Sequence, residues 1–156
     1  MKDDDLITNW GLLVEGYSRA MHFLEGATDD ATGLGPTWFS VLLRLERTPD
    51  HRLPMTHLAR EVELTSGGFT KVADKLAEAG LTRRVACEHD RRVTWMELTD
   101  EGLRTAQQSK AHHAQTLRKM VEAHLGFEEL LEIGRLMRKL RDNLDADSGC
   151  TQDNIV

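Results

Sequence analysis

The chain has 156 residues, 40 % of them apolar, and a formal charge of −6. That length suits one domain with a modest core, and no run approaches the roughly 18 apolar residues a membrane-spanning helix needs. The opening Met-Lys-Asp-Asp-Asp is acidic and lacks an apolar stretch, which reads against a secretory leader, and Cys87 and Cys150 form no Cys-x-x-Cys pair or disulfide framework. A cytoplasmic protein is expected, with no membrane partner and no cofactor.

Within residues 6–26, Ile7, Trp10, Val14, Tyr17, Met21 and Leu24 follow one another at alternating steps of three and four. This is a heptad seam, and an ordinary amphipathic core helix stays open beside it. Asp29–Gly35 reads as a loop. Pro36 suits a first helical position with Gly35 as cap. The helix it starts, to about Thr48, carries Trp38, Val41, Leu42 and Leu45 on one face, with Phe39 and Leu43 beside them, and should be central. Thr48-Pro49-Asp50-His51 is a turn. A short helix over about Thr56–Glu63 packs through Leu58, Ala59 and Val62. Thr65 then caps a second, whose Phe69, Val72, Ala73 and Leu76 turn inward. Gly80 closes that helix as a left-handed cap. Val85, then Val93, Trp95 and Met96, suit two strands around the polar tip Glu88-His89-Asp90-Arg91-Arg92. Thr99 caps a long helix reaching about His124, favoured by Asp100 and Glu101 in its first turn, with a middle (Gln107–His113) too polar for a buried seam. The last helix, Glu128–Leu144, repeats a heptad through Leu130, Ile133, Met137, Leu140 and Leu144. The polar tail over 146–156 is expected to be disordered.

Two short helices, a tight turn and a two-stranded ribbon over Met55–Thr99 make a winged helix-turn-helix, an arrangement that reads double-stranded DNA. The fold class is mainly α (α+β). The acidic total seems to oppose a DNA partner, since phosphate contacts need cations. Between Thr65 and Trp95, however, Lys71, Lys75, Arg83, Arg84, Arg91 and Arg92 outnumber Asp74, Glu78, Glu88 and Asp90 by two. So small an excess calls for two copies of the basic face.

With its apolar residues inward, the second helix turns Ser66, Gly67, Thr70, Lys71 and Asp74 outward. Ser66 and Thr70 can hydrogen-bond base edges or phosphates, and Lys71 supplies a point charge. Gly67 and Gly68 each cost about 1 kcal/mol relative to Ala in a helix. They point to close approach, of backbone to DNA or of helix to helix. Arg91 and Arg92 can reach a minor groove, while Asp90 is expected to hold the wing's shape by pairing with Arg92. Cys87, at the wing entrance, reads as a buried strand thiol, with an oxidisable thiol as the alternative.

Other chemistries find little support. His112-His113 and His124 lack the spacing that puts two imidazoles on one ion, and His22 with Glu25 makes only two ligands, so no metal site is expected. No catalytic triad, carboxylate pair or phosphate-cradling glycine loop is present, which argues against an enzyme.

Leu58-Ala59, the capped second helix ending at Leu76 and Gly80-Leu81, then Asp90-Arg91-Arg92 and Leu98-Thr99-Asp100-Glu101-Gly102 together resemble the MarR family of bacterial transcription regulators. The resemblance covers about residues 36–103. It implies one domain over 1–145, with a winged helix at 36–103 and dimerisation helices at about 6–26 and 104–144. It also implies a homodimer on a pseudo-palindromic operator in double-stranded DNA, usually repressing, and release by a small aromatic or phenolic anion bound in a cleft. On that footing Ile7, Trp10, Val14, Leu130, Ile133, Met137, Leu140 and Leu144 would form the dimer interface. Trp10, Tyr17, Arg19, His22 and Trp38 lie on the helices that line such a cleft, although the aromatic residues equally suit packing and Arg19 a solvated surface. Relatives often carry Ser or Thr where this chain has Gly67 and Gly68, which leaves more of the reading to Thr65, Ser66, Thr70 and Lys71. The first helix has no cysteine, so peroxide sensing of the family's type is not expected. The rival function is a winged helix turned protein-interaction module, favoured by the acidic surplus and the glycine pair.

Overall fold

Pro36, at the first position of α2 (Pro36–Arg47), begins the helix around which the fold is built. The structure, a computed structural model, describes residues 2–32, 34–87 and 92–147, with 25–32 and 147 by their backbone alone. It divides into two compact units, Met1–Thr116 and Leu117–Val156.

In the first unit, α2 turns Val41, Leu42 and Leu45 into the core with no exposed surface. The helix stops where Thr48 goes extended, its hydroxyl donating to the Arg44 carbonyl at 2.8 Å. A 3₁₀ turn, Pro49–His51, leads into β1 (Arg52–Pro54), a strand absent from the sequence reading. Three residues ending in proline show no alternation, so the expected two-stranded ribbon is a three-stranded antiparallel sheet.

The helix pair is α3 (Met55–Glu61) and α4 (Ser66–Glu78). α3 ends two residues before the expected Glu63, because Glu63 takes a left-handed conformation with φ 54° and turns the chain into α4. Arg44 braces this pair from α2, its Nη2 donating to the Glu61 carbonyl at 2.8 Å. Thr65 caps α4, its Oγ1 accepting from the Gly68 N–H at 3.2 Å. Gly80 closes the C-terminal end of α4 at φ 73°, where a side chain would be strained.

β2 (Thr82–Ala86) and β3 (Thr94–Leu98) complete the sheet in the order β1-β3-β2. Met96 pairs with Leu53 and Arg84, and with Leu98 it faces the core, while Trp95 and Glu97 face away. Cys87 sits just past β2 and is half-buried, less enclosed than expected, because the strand has already ended. The wing tip, including Asp90 with its pairing to Arg92 and Arg91 itself, lies outside the described residues.

Thr99 links the wing to α5 (Asp100–His124), accepting from the Gly102 N–H at 3.0 Å and donating to the Gly80 carbonyl at 2.6 Å. A Cβ on Gly102 would lie 1.8 Å from the Leu81 carbonyl oxygen, so only glycine lets α5 start there. The middle of α5 packs after all. Ala106 and Ser109 are buried, Lys110 holds both Glu46 oxygens at 2.9 Å, and the His113 ring lies 4.9 Å from that of Phe39. The small residues take the inward face while Gln107 and Gln108 take the outward one.

α1 (Asp3–Thr32) is longer than the expected 6–26 and absorbs most of the anticipated loop. Its seam is buried only at Leu24, with Met21 half-buried. Ile7, Trp10, Val14 and Tyr17 are 68, 57, 46 and 65 % exposed, so within one chain the first half of α1 is not a core helix. The second unit holds the end of α5 and α6 (Phe127–Asp147), joined through Gly126. Arg118 lies over the Phe127 ring at 5.6 Å. Along α6, Leu130, Met137 and Leu140 are half-buried and Ile133 and Leu144 exposed. Residues 146 and 147, assigned to a tail, continue this helix, and 148–156 lie outside the described residues.

Candidate nucleic-acid interface

Burial of Phe69, Ala73 and Leu76 fixes the rotation of α4 about its axis. At 3.6 residues per turn, Gly67, Lys71, Asp74 and Glu78 then form one exposed row, with Ser66, Thr70 and Lys75 beside it. Thr70 donates its hydroxyl to the Ser66 carbonyl at 2.8 Å, leaving its lone pairs as an outward acceptor. Thr65 accepts from Gly68, leaving its hydroxyl hydrogen to donate. A Cβ added to Gly67 would meet nothing within 4 Å, and one on Gly68 would meet only the capping Thr65 hydroxyl at 3.2 Å. Helix crowding therefore does not account for Gly67.

The basic residues divide into two groups. Arg83 Nη2 lies 2.6 Å from Glu97 Oε1, which raises the arginine's pKa through that hydrogen bond and the adjacent charge. Arg84 Nη2 lies 2.7 Å from Asp74 Oδ1, tying the wing's first strand to α4. Lys71 and Lys75 make no such pair among the described residues; they border a shallow hollow with Gly35, Pro36 and Trp38 at the start of α2. Arg92, between β2 and β3, is exposed. In the sequence Lys75 contributes to the charge excess, and its i, i+4 relation to Lys71 marks it as the next cation along the same side.

The first unit also holds a cavity of about 360 Å³. Its walls are Met21 and Leu24 of α1, Phe39 and Leu43 of α2, and Val62, with Thr37, Ser40 and His113 as its polar groups. Burial, and then the neighbouring His112, hold the His113 pKa below the ordinary histidine value. Trp10, Tyr17, Arg19 and His22 do not line this space; all four are exposed on α1, and Arg19 pairs with Glu15 at 2.6 Å. Trp38 packs half-buried against the core and borders the hollow near Lys71 instead. Phe39 and His113 were legible singly, as a core neighbour and a histidine, but nothing local in the sequence brings them together.

A MarR family profile matches residues 32–93. The HTH-type transcriptional regulator MhqR of Bacillus subtilis is 32 % identical over 108 residues, spanning 69 % of this chain and 72 % of MhqR. The chain belongs to the MarR family. As a member it is a DNA-binding transcription regulator of the winged-helix type. Among solved structures, Sco3205, a MarR family transcriptional regulator from Streptomyces coelicolor crystallised in complex with DNA, matches with a TM-score of 0.79 at 24 % identity, covering 92 % of this chain and 93 % of that one. NadR, crystallised in complex with 4-hydroxyphenylacetate, matches with a TM-score of 0.66 at 20 % identity, covering 85 % and 91 %. The two share the fold of this MarR-family protein. Among the described residues no helix is long and apolar enough to cross a membrane, and no three His, Cys, Asp or Glu side chains are grouped to hold a metal ion.

Proposed function

We propose that this MarR-family protein is a dimeric, sequence-specific regulator that represses from a pseudo-palindromic operator and is released by a small aromatic or phenolic ligand. The observation that carries the DNA reading is the bare outer face of α4. Ser66, Gly67, Thr70 and Lys71 are exposed there while the helix's apolar side is buried. A helix presented in this way enters a major groove with its N-terminal half, and Arg91 and Arg92 of the wing follow the adjacent minor groove. The Sco3205 complex with DNA supports this reading.

The dimer is argued from exposed apolar surface. Ile7, Trp10 and Val14 on α1, and Ile133 and Leu144 on α6, expose apolar side chains that one chain leaves in water. Leu130, Met137 and Leu140 extend the α6 row. Two copies would place two recognition helices about 34 Å apart, one DNA turn, and double the small local excess of charge.

For the ligand, the cavity offers an aromatic and aliphatic wall with one imidazole, so an aromatic ring carrying a hydroxyl fits its chemistry, the hydroxyl bonding a neutral His113. The 4-hydroxyphenylacetate held by NadR is of that class. By binding one arrangement of the helices better than the other, the ligand shifts the population away from the DNA-binding form, within a coupling of about 1–3 kcal/mol.

A fluorescence anisotropy titration of the protein against its own upstream DNA tests the reading. Saturable binding that weakens with salt is expected. Arg91→Ala should weaken binding to all sequences and make the salt dependence shallower by about one contact. An absence of saturable, salt-dependent binding at low ionic strength contradicts the regulator reading and favours the protein-interaction module. Unchanged behaviour of Arg91→Ala would take the wing off the DNA.

A further inference from the structure

The outward row of α4 contains a group that suits DNA poorly. Asp74 is exposed, one turn beyond Lys71 in line with Gly67, so a helix lying in a groove brings this carboxylate toward the phosphates. The pair it makes with Arg84 has side chains 49 % and 40 % exposed. Ion pairs so well solvated contribute little to a fold. The contact between α4 and β2 does not depend on it either, because Leu81, just before β2, donates its N–H to the Leu76 carbonyl at 3.0 Å and both residues belong to the buried core. The pair's main effect is therefore electrostatic: it neutralises one arginine of the wing's first strand and keeps an anion on the reading face.

Resting on the DNA-binding role proposed above, we propose that Asp74 is a brake on DNA affinity, holding Arg84 off the phosphate backbone so that base contacts rather than bulk charge decide where the protein stays. Phosphate contacts raise affinity for every duplex alike. A regulator with one such contact withheld dwells less on unrelated sequence and loses little discrimination. The two members of the pair then have opposite signs. Without the carboxylate, Arg84 turns to a phosphate. Without the arginine, Asp74 repels one.

The test is an anisotropy titration of the full-length protein against its upstream DNA and against an unrelated duplex, over a range of salt. Asp74→Asn keeps the shape and removes the charge. It should tighten binding to both duplexes and steepen the log–log salt slope by about 0.9, an extra loss of about 3.5-fold over a fourfold rise in salt. Arg84→Gln should weaken binding to both duplexes and make the slope shallower. The double variant should lie close to wild type, and Asp74→Glu, which keeps the charge, should keep the wild-type slope. If Asp74→Asn and Arg84→Gln both weaken binding and the double variant is no worse, the pair is a structural tether and the brake is wrong. An unchanged Asp74→Asn overturns it equally. Wild-type protein that shows no salt-dependent binding would remove the DNA-binding role and this inference together, whereas wild-type binding with an indifferent Asp74→Asn removes this inference alone.

Discussion

At the residue scale the reading face is defined as much by what Gly67 lacks as by what its neighbours carry. A glycine inside a helix costs about 1 kcal/mol relative to alanine, and among the described residues a Cβ added here would meet nothing within 4 Å. Gly67→Ala is accordingly expected to raise stability by up to about 1 kcal/mol in a thermal or denaturant melt. The same change should weaken DNA binding, because the added methyl stands between α4 and the groove. A variant that gains stability and binds DNA as wild type does would show that nothing approaches Gly67. Local chemistry at this scale was well expressed in the sequence. The Thr65 and Thr99 caps and the left-handed Gly80 occupy the positions read for them, since each depends on residues no more than a turn away. Glu63 was read as helix although its φ of 54° is that of a turn. Nothing in a glutamate announces a left-handed conformation; its neighbours Val62 and Leu64 both pack against the core.

At the element scale the same limit explains what was missed. Helices with strong periodicity, such as α2 and α4, could be read from their own residues. β1 could not, because three residues become a strand only by pairing with β3. The polar middle of α5 looked unfit for packing until Phe39 of α2 met His113. That contact carries a pH dependence. Burial and His112 hold the His113 pKa below the ordinary 6.5, so the unfolded chain takes up a proton before the fold does. Its contribution to stability is complete above about pH 6.5 and is lost as the pH falls from there through the folded value. Urea midpoints measured between about pH 7.5 and 5 should fall on the acid side for the wild type, and His113→Gln should flatten that limb. An equally steep limb in the variant would place the titrating group elsewhere. The candidate ligand pocket was illegible for a related reason. The sequence points to Trp10, Tyr17, Arg19 and His22 of the first helix and Trp38 of the second, whereas the walls of this cavity are other residues of α1, α2 and α5 together with Val62.

At the scale of the whole molecule, the proposed dimer reconciles the acidic chain with its small basic face. One copy exposes Ile7, Trp10, Val14 and Tyr17 along α1, and Ile133 and Leu144 along α6, and the proposed function has a second copy cover them. Ile7→Asp combined with Leu140→Asp should give monomers by light scattering and weaken operator binding with them. An intact dimer would place the interface on other residues. The proposed function requires two recognition helices to read one operator. Hydroxyl-radical footprinting of the upstream DNA with wild-type protein tests that directly. Two protected segments of matching sequence, their centres about 10 base pairs or a multiple apart, are the expected result. A single protected patch, or uniform protection without a repeated half-site, would contradict it.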